Sequence, residues 1–189
     1  MVKAIIFDCF GVLTADTWKE FVATLPEAQR RPASDLNRAY GAARISKQEF
    51  LGSIKKLTNR QPIDIDIPNN NDLGTTKNSQ LLSYIATLKR NYKIGLLSNV
   101  ASGWIKERFL TSEEQALFDD FIFSHEVHMT KPDPGIFSLA AERLGVPLQT
   151  CVLVDDAEHY CAIATKLGMK SVCYRNFQQT KADLEKLLD

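Results

Sequence analysis

The stretch of sequence that decides the fold is Val2-Lys3-Ala4-Ile5-Ile6-Phe7-Asp8-Cys9-Phe10-Gly11-Val12-Leu13. Its apolar, β-branched run up to Phe7 is typical of a strand that is buried on both faces of a parallel sheet. The run ends at a carboxylate, Asp8. Because ligands bind beyond the carboxyl ends of the strands in open parallel sheets, this pattern predicts a functional side chain at the sheet edge.

Two further segments repeat the pattern of an apolar strand that ends in polar side chains. Residues 93–97 are followed by Ser98 and Asn99, and residues 151–154 are followed by Asp155 and Asp156. Weaker strand candidates lie at 121–123 and 171–174, and helical patterns lie at 79–90, 133–145, 159–168 and 180–188. Strands that alternate with helices predict a Rossmann-like, doubly wound α/β fold with a parallel sheet of about five core strands.

The stretch from 16 to 78 departs from this alternation. It contains helical patterns at 17–25, 34–43 and 46–57, and Ser46 with Glu49 forms a capping-box signature. A polar segment, 58–77, follows these helices. We therefore predict an α/β core formed by residues 1–15 and 79–189, and a small helical domain formed by residues 16–78, which is inserted after the first strand.

The composition of the 189-residue chain is ordinary for a globular protein, with 44% apolar and 24% charged residues. Its 23 basic and 23 acidic side chains cancel, so we expect neither nucleic acid nor a membrane as a partner. No apolar stretch approaches the roughly 20 residues needed to span a bilayer. The four cysteines form no C-x-x-C pair, and a carboxylate interrupts the early apolar run. These features predict a reduced, cytoplasmic protein.

The polar residues at the predicted strand ends suggest a site for a cation and an anion. Asp8, Asp155 and Asp156 supply carboxylates, which suit a hard cation such as Mg²⁺. Ser98, at the end of another strand, and Lys131, directly before a predicted helix, supply donors to an anion. Because the strands are predicted to be parallel, we expect these groups to meet at one edge of the sheet.

Four segments resemble, in the same order, the four motifs of the haloacid dehalogenase superfamily. They are Phe7-Asp8-Cys9-Phe10-Gly11-Val12-Leu13, Leu97-Ser98-Asn99, Lys131-Pro132-Asp133-Pro134 and Val154-Asp155-Asp156. One such motif is unspecific, but four in order, each at a strand end or helix start, are specific. The resemblance covers the predicted core, and residues 16–78 lie where that superfamily inserts its helical cap. The segment 43–50 is similar to one that is common in compact-cap members.

The resemblance implies a role for each of these positions. Asp8 would be the nucleophile that forms a covalent aspartyl intermediate. Ser98 and Asn99 would bind the transferring group of a small, phosphorylated substrate, and Lys131 would balance its negative charge. The implied ligands of Mg²⁺ are Asp8, the backbone carbonyl of Phe10, Asp156 and, directly or through water, Asp155.

Position 10 departs from the phosphatase pattern. Phosphatases of this superfamily carry a second aspartate there, which protonates the leaving oxygen and then activates water, and such acid–base help is typically worth about 100- to 10,000-fold. Phe10 can do neither. The 2-haloacid dehalogenases of the same superfamily carry an aromatic residue at this position, because a halide leaves without being protonated. Dehalogenases, however, work without Mg²⁺ and lack the pair formed by Asp155 and Asp156.

Three functions therefore remain open. The first is a Mg²⁺-dependent, phosphatase-type hydrolase, which we favour because three carboxylates without a cation would repel one another and blunt Asp8. The second is a dehalogenase-like hydrolase of carbon–halogen bonds. The third is a binding or regulatory protein that keeps the phosphate site without turnover. We expect a monomer or a homodimer in each case.

Other polar residues carry weaker expectations. His125 and His128 could supply a substitute acid, but positions in a loop or on the surface explain them better. The basic residues of the insertion could meet an anionic substrate, although a solvated helix face explains most of them. They are Arg30, Arg31, Arg38 and Arg44.

Overall fold

The computed structural model describes residues 1–60 and 77–188 and places one parallel sheet at the centre of the chain. Its strands are β1 (Ala4–Phe7), β2 (Lys93–Ser98), β3 (Asp120–Phe123), β4 (Cys151–Asp155) and β5 (Lys170–Cys173). The strand order is β3-β2-β1-β4-β5, so that β1 is central. Ala4 pairs with Lys93 of β2 on one side and with Cys151 of β4 on the other. The predicted α/β fold with five parallel strands is confirmed.

Some of the α-helices pack on the two faces of the sheet, whereas the first three form an apolar core of their own. The α-helices are α1 (Thr17–Ala23), α2 (Glu27–Gly41), α3 (Lys47–Thr58), α4 (Ser79–Leu88), α5 (Ser112–Gln115), α6 (Ser124–Val127), α7 (Pro134–Arg143), α8 (Glu158–Lys166) and α9 (Phe177–Leu188). A π-helical turn spans Ile105–Phe109, and a 3₁₀ turn spans Leu148–Thr150.

Alternate residues of β1 enter different apolar cores. Ile5 and Phe7 join a cluster with residues of α4 and α9, whereas Ala4 and Ile6 join a cluster with residues of α7 and α8. All four side chains are fully buried, as expected for a central strand covered on both faces. The core therefore holds the carboxyl end of β1, where Asp8 follows, in a fixed position.

Helix ends and short helices differ from the prediction. Helix α2 starts at Glu27, with Pro26 at its N-cap, and runs through Pro32, whereas the sequence pattern placed its start at Ser34. The π-helical turn, α5, α6 and the 3₁₀ turn were not predicted, because elements of three to five residues are too short to show a period.

The capping box at Ser46 and Glu49 is present, with the Ser46 amide donating to Glu49 Oε2 at 2.7 Å. The polar segment predicted at 58–77 lies largely outside the described residues.

Helices α1, α2 and α3, which we call the insertion helices, have an apolar core of their own. It centres on Phe50 and Ile54, which are almost fully buried. The Trp18 and Tyr40 rings pack on Phe50, with centroids 5.7 Å and 4.7 Å away. The insertion helices reach the sheet side through Gly41, whose carbonyl accepts a hydrogen bond from the Ser124 hydroxyl at 2.7 Å. No helix in 1–60 or 77–188 is both long and apolar enough to cross a membrane.

Candidate active site

The carboxyl ends of the three central strands bring the predicted polar residues together. Asp8 follows β1, Ser98 ends β2 and Asp155 ends β4, and all three are buried. The Asp8 amide donates to the Val154 carbonyl at 2.9 Å. Asp8 Oδ1 in turn accepts a hydrogen bond of 2.7 Å from the Cys9 amide. The other oxygen, Oδ2, faces Lys131.

Lys131 links the strand ends. Its ammonium is fully buried and lies 3.0 Å from Asp8 Oδ2 and 2.5 Å from Asp155 Oδ2. The side chain of Asn99 holds the backbone of Lys131 from both sides: its Oδ1 accepts from the Lys131 amide at 2.8 Å, and its Nδ2 donates to the Lys131 carbonyl at 3.0 Å. In this structure Asn99 therefore positions Lys131.

The charges at the site are unbalanced. Burial raises the pKa of Asp8 well above its usual value, and the neighbouring Asp155 adds to this rise, while Lys131 opposes it. Burial lowers the pKa of Lys131, but Asp155 and Asp8 outweigh this effect, so the pKa of Lys131 is raised and its ammonium stays charged. A single buried ammonium shared by two carboxylates leaves an excess of negative charge that a cation would neutralise.

Asp156 completes a carboxylate cluster. Asp8, Asp155 and Asp156 each offer an oxygen, and these atoms lie within 4.8 Å of one another. Gly11, with φ of +84°, makes room for Asp156, because a Cβ at that position would lie 2.4 Å from Asp156 Cγ. A set of carboxylate oxygens is the donor set that Mg²⁺ prefers. The residues present therefore fit a small, hard divalent cation.

Asp155 and Asp156 differ in their surroundings. Asp155 uses one oxygen for Lys131 and accepts a 2.9 Å hydrogen bond from the Ala157 amide with the other. The side chain of Asp156 is 14% exposed and faces the cavity, so its carboxylate is more accessible to a cation than that of Asp155.

Ser98 has an unused hydroxyl at the end of β2, the strand that pairs with β1. Its Oγ is buried and has no hydrogen-bond partner among the described residues. A buried hydroxyl without a partner carries a free-energy cost of about 1–3 kcal/mol. A ligand oxygen that accepted a hydrogen bond from the Ser98 hydroxyl would remove that cost. The predicted role of Ser98 in anion binding requires such a hydrogen bond.

The ring of Phe10 lines the cavity next to Asp8. It stacks on Trp104, with centroids 5.9 Å apart, and Trp104 stacks in turn on Phe109 at 5.1 Å. The position that carries a carboxylate in phosphatases is thus tied to an aromatic stack at the edge of the core.

Lys19 is a site residue that the sequence analysis missed. Its ammonium extends from α1 to Asp156 Oδ2, at a distance of 2.7 Å. The start of α1 is fixed by Asp16, whose carboxylate accepts from the Lys19 amide at 2.9 Å. The sequence pattern around Lys19 does not indicate this contact, because the contact depends on how the insertion helices pack on the sheet.

We expect Lys19→Met to raise the affinity for Mg²⁺ by about two- to fivefold. The Lys19 ammonium and the cation compete for the same oxygen of Asp156, and an exposed ion pair of this kind contributes only about 0.2–1 kcal/mol. Titration calorimetry of the metal-free protein with MgCl₂ measures the change. Lys56→Met, on α3, removes the same charge away from the site and should leave the affinity unchanged. Equal affinities of wild type and Lys19→Met would contradict the competition.

A cavity of about 900 Å³ separates the insertion helices from the sheet edge. Its walls are formed by Asp8, Lys131 and Asp156 on the sheet side and by Trp18, Arg31 and Arg38 on the insertion side. The histidines considered as substitute acids are not among its lining residues: His125 and His128 contact the backbone carbonyls of Val100 and Ala42.

Comparison with known proteins identifies relatives with both kinds of chemistry. A family model for haloacid dehalogenase-like hydrolases matches residues 2–164. The chain is 25% identical to Phosphatase MT3486 of Mycobacterium tuberculosis over 210 aligned positions, which cover 95% of this chain and 90% of that relative. It is 30% identical to an (S)-2-haloacid dehalogenase of Pseudomonas fluorescens over 90 positions, 48% of this chain and 39% of that enzyme.

Some curated relatives are matched over only a small part. The chain spans 21% of a haloacid dehalogenase-like hydrolase domain-containing protein of Arabidopsis thaliana, to which it is 38% identical over 66 positions.

Solved structures share the fold across the whole chain. A predicted HAD-like family hydrolase from Porphyromonas gingivalis aligns with a TM-score of 0.74 and 24% identity, covering 100% of this chain and 98% of that one. A HAD family enzyme from Bacteroides thetaiotaomicron, in complex with magnesium and inorganic phosphate, aligns with a TM-score of 0.67 and 22% identity, covering 93% and 95%. At these identities the likeness concerns the fold.

Proposed function

The chain belongs to the haloacid dehalogenase-like hydrolase family, and on that premise we propose that it is a Mg²⁺-dependent hydrolase of a small phosphate ester. The observation that carries this proposal is the cluster of Asp8, Asp155 and Asp156, whose negative charge exceeds what the buried Lys131 neutralises. A full-length phosphatase relative and a structural neighbour that holds magnesium and phosphate support the same chemistry.

Each site residue has a role in the proposed reaction. The Asp8 carboxylate attacks phosphorus, the bond from phosphorus to the substrate oxygen breaks, and an aspartyl phosphate forms. The substrate oxygen leaves as an alcohol after taking a proton from water, because Phe10 cannot supply one. Ser98 donates to a phosphoryl oxygen, and Lys131, held by Asn99, balances charge. Water then hydrolyses the aspartyl phosphate and releases inorganic phosphate. The proposed ligands of Mg²⁺ are Asp8, the Phe10 carbonyl, Asp156 and, directly or through water, Asp155. The cation would supply positive charge against the developing charge of the phosphoryl group.

The domain division is part of the same proposal. We propose that residues 1–15 and 79–189 form the catalytic core and that residues 16–78 form a cap domain, whose helices α1 and α2 line the cavity and would help to keep water out. The substrate is a small molecule, and nucleic acid and membranes are not partners. A cytoplasmic location and a monomeric or dimeric state stay predictions.

Phe10 supports a second candidate, a dehalogenase-like hydrolase. Its ring lines the cavity where a phosphatase would present a carboxyl, and halide needs no proton to leave. The similarity to an (S)-2-haloacid dehalogenase over 90 positions favours the same reaction. A metal would not be required for it.

An assay with two substrate classes distinguishes the candidates. We expect the purified protein to release phosphate from p-nitrophenyl phosphate in the presence of MgCl₂ and to lose this activity with EDTA, because the carboxylate cluster needs a cation to ionise fully. The same protein should release no halide from 2-chloropropionate. Halide release that persists in EDTA would favour the dehalogenase reaction and contradict the proposed function.

A further inference from the structure

Helix α2 presents two different faces. Its apolar residues Ala33, Leu36 and Tyr40 pack in the core of the insertion helices. A second face lines the cavity above Asp8 and is entirely polar, at the spacing i, i+3, i+4, i+7 that places residues on one side of a helix. It consists of Arg31, Ser34, Asp35 and Arg38, which we call the α2 polar face.

The charges of the α2 polar face are not balanced within it. Arg38 donates a hydrogen bond to Asp35, which neutralises that pair. The guanidinium of Arg31, an exposed residue that lines the cavity, has no hydrogen bond or ion pair with another residue in 1–60 or 77–188. A cavity-lining guanidinium that has no carboxylate partner of its own is suited to bind the carboxylate or phosphate of a ligand with two parallel hydrogen bonds.

The α2 polar face lies opposite the reactive end of the cavity. Tyr160 of α8 also lines this cavity, and its ring centroid is 5.1 Å from the Lys131 ammonium. A ligand with one end at Lys131 can therefore extend past Tyr160 toward α2.

The cavity has room for more than a phosphate group. Its volume of about 900 Å³ falls in the range, about 300–1,000 Å³, of cavities that hold a complete small-molecule ligand. The phosphoryl group occupies the end near Asp8, and the alcohol part of the ester is left to meet the insertion helices.

We propose that the substrate is a phosphate ester whose alcohol part carries a second anionic group, a carboxylate or a second phosphate, and that Arg31 binds this group with Arg38 beside it. This inference rests on the proposed function, because it assumes that a phosphoryl group lies at Asp8. It adds the chemical class of the substrate and the residue that selects it.

The test measures binding of phosphonates, which keep the charge of the esters but cannot be cleaved at an ester oxygen. Propylphosphonate carries one anionic group, 3-phosphonopropanoate adds a carboxylate, and propane-1,3-diyl bisphosphonate adds a second phosphonate. Titration calorimetry with the Mg²⁺-loaded protein should show that at least one of the two bifunctional ligands binds about five- to thirtyfold more tightly than propylphosphonate. The stronger of the two identifies the second anion.

Arg31→Met should remove this advantage, so that the affinity for the bifunctional ligand falls by much more than the affinity for propylphosphonate. Arg44→Met is the matched control, because Arg44 is an exposed arginine of the insertion that does not line the cavity. That variant should keep the advantage. Equal binding of all three ligands, or equal losses in Arg31→Met and Arg44→Met, would overturn the inference and leave the proposed function intact. Failure of every phosphonate to bind would reject the proposed function together with the inference.

Discussion

Asp8→Asn is expected to reduce Mg²⁺-dependent phosphate release on the order of 1,000-fold or more, since an amide cannot act as the nucleophile.

The same change should make the metal-free protein more stable. Asp8 is only 6% exposed and shares its single buried cation with Asp155, so its charge is costly in the folded state. A gain of about 1–2 kcal/mol in the free energy of unfolding is typical when such a functional group is neutralised.

The stability gain depends on pH in a defined direction. Burial raises the pKa of Asp8 above its ordinary value of 3.8, so the folded state holds this proton more tightly than the unfolded state does. Stability of the wild type therefore falls as the pH rises from 3.8 through the folded-state pKa, and the full cost is present above it. The advantage of Asp8→Asn should be largest at neutral pH and should vanish below the unfolded-state value.

Urea unfolding in EDTA at several pH values measures this advantage. Glu142→Gln is the matched control, because it converts an exposed carboxyl of α7 into an amide. It should change neither the stability nor the phosphate release by a measurable amount. A variant Asp8→Asn that keeps the wild-type rate would show that Asp8 is not the nucleophile.

Phe10→Asp is expected to raise kcat/KM for a phosphate ester with an alkyl leaving group by about 100- to 10,000-fold. The new carboxyl would stand in the cavity wall beside Asp8, where it could protonate the leaving oxygen and then activate water. Loss of the ring also removes the stack on Trp104, so we expect a modest decrease in stability. The rate measured with ethyl phosphate and MgCl₂ reports the gain.

Phe10→Asn provides the control for this gain. It removes the same ring and introduces a side chain of the same shape, but it cannot transfer a proton at neutral pH. A rate increase in Phe10→Asp alone would show that the missing acid–base group limits turnover. Similar rates in the two variants would instead indicate that the ring only restricts access to Asp8.

The sequence predicts the part of this site that is formed by residues at the ends of the strands. Asp8, Ser98 and Asp155 meet because parallel strands end at one edge, and the polar residues that follow each apolar run mark those ends along the chain. Lys131 lies three residues before the start of α7, where the sequence predicts a donor at the site, and its ammonium contacts both Asp8 and Asp155. These predictions depend only on chain connectivity and on the direction of the strands.

The contributions of the insertion helices could not be predicted in the same way. Lys19 and Arg31 reach the cavity only because α1 and α2 pack at particular angles over the sheet, and an amphipathic pattern does not contain those angles. Likewise, nothing in the pair Ser98-Asn99 shows that the hydroxyl stays without a partner while the amide holds the backbone of Lys131. Side-chain partners across elements are decided by tertiary packing.

The central position of β1 has a consequence for biosynthesis. Both of its hydrogen-bonding edges are paired with strands made much later, since Ala4 meets Lys93 on one side and Cys151 on the other. While the ribosome adds about 5–20 residues per second, this apolar strand has no partner until those segments emerge. The segment that leads to Asp8 therefore stays open to mispairing until residues 93–96 and 151–154 have been made.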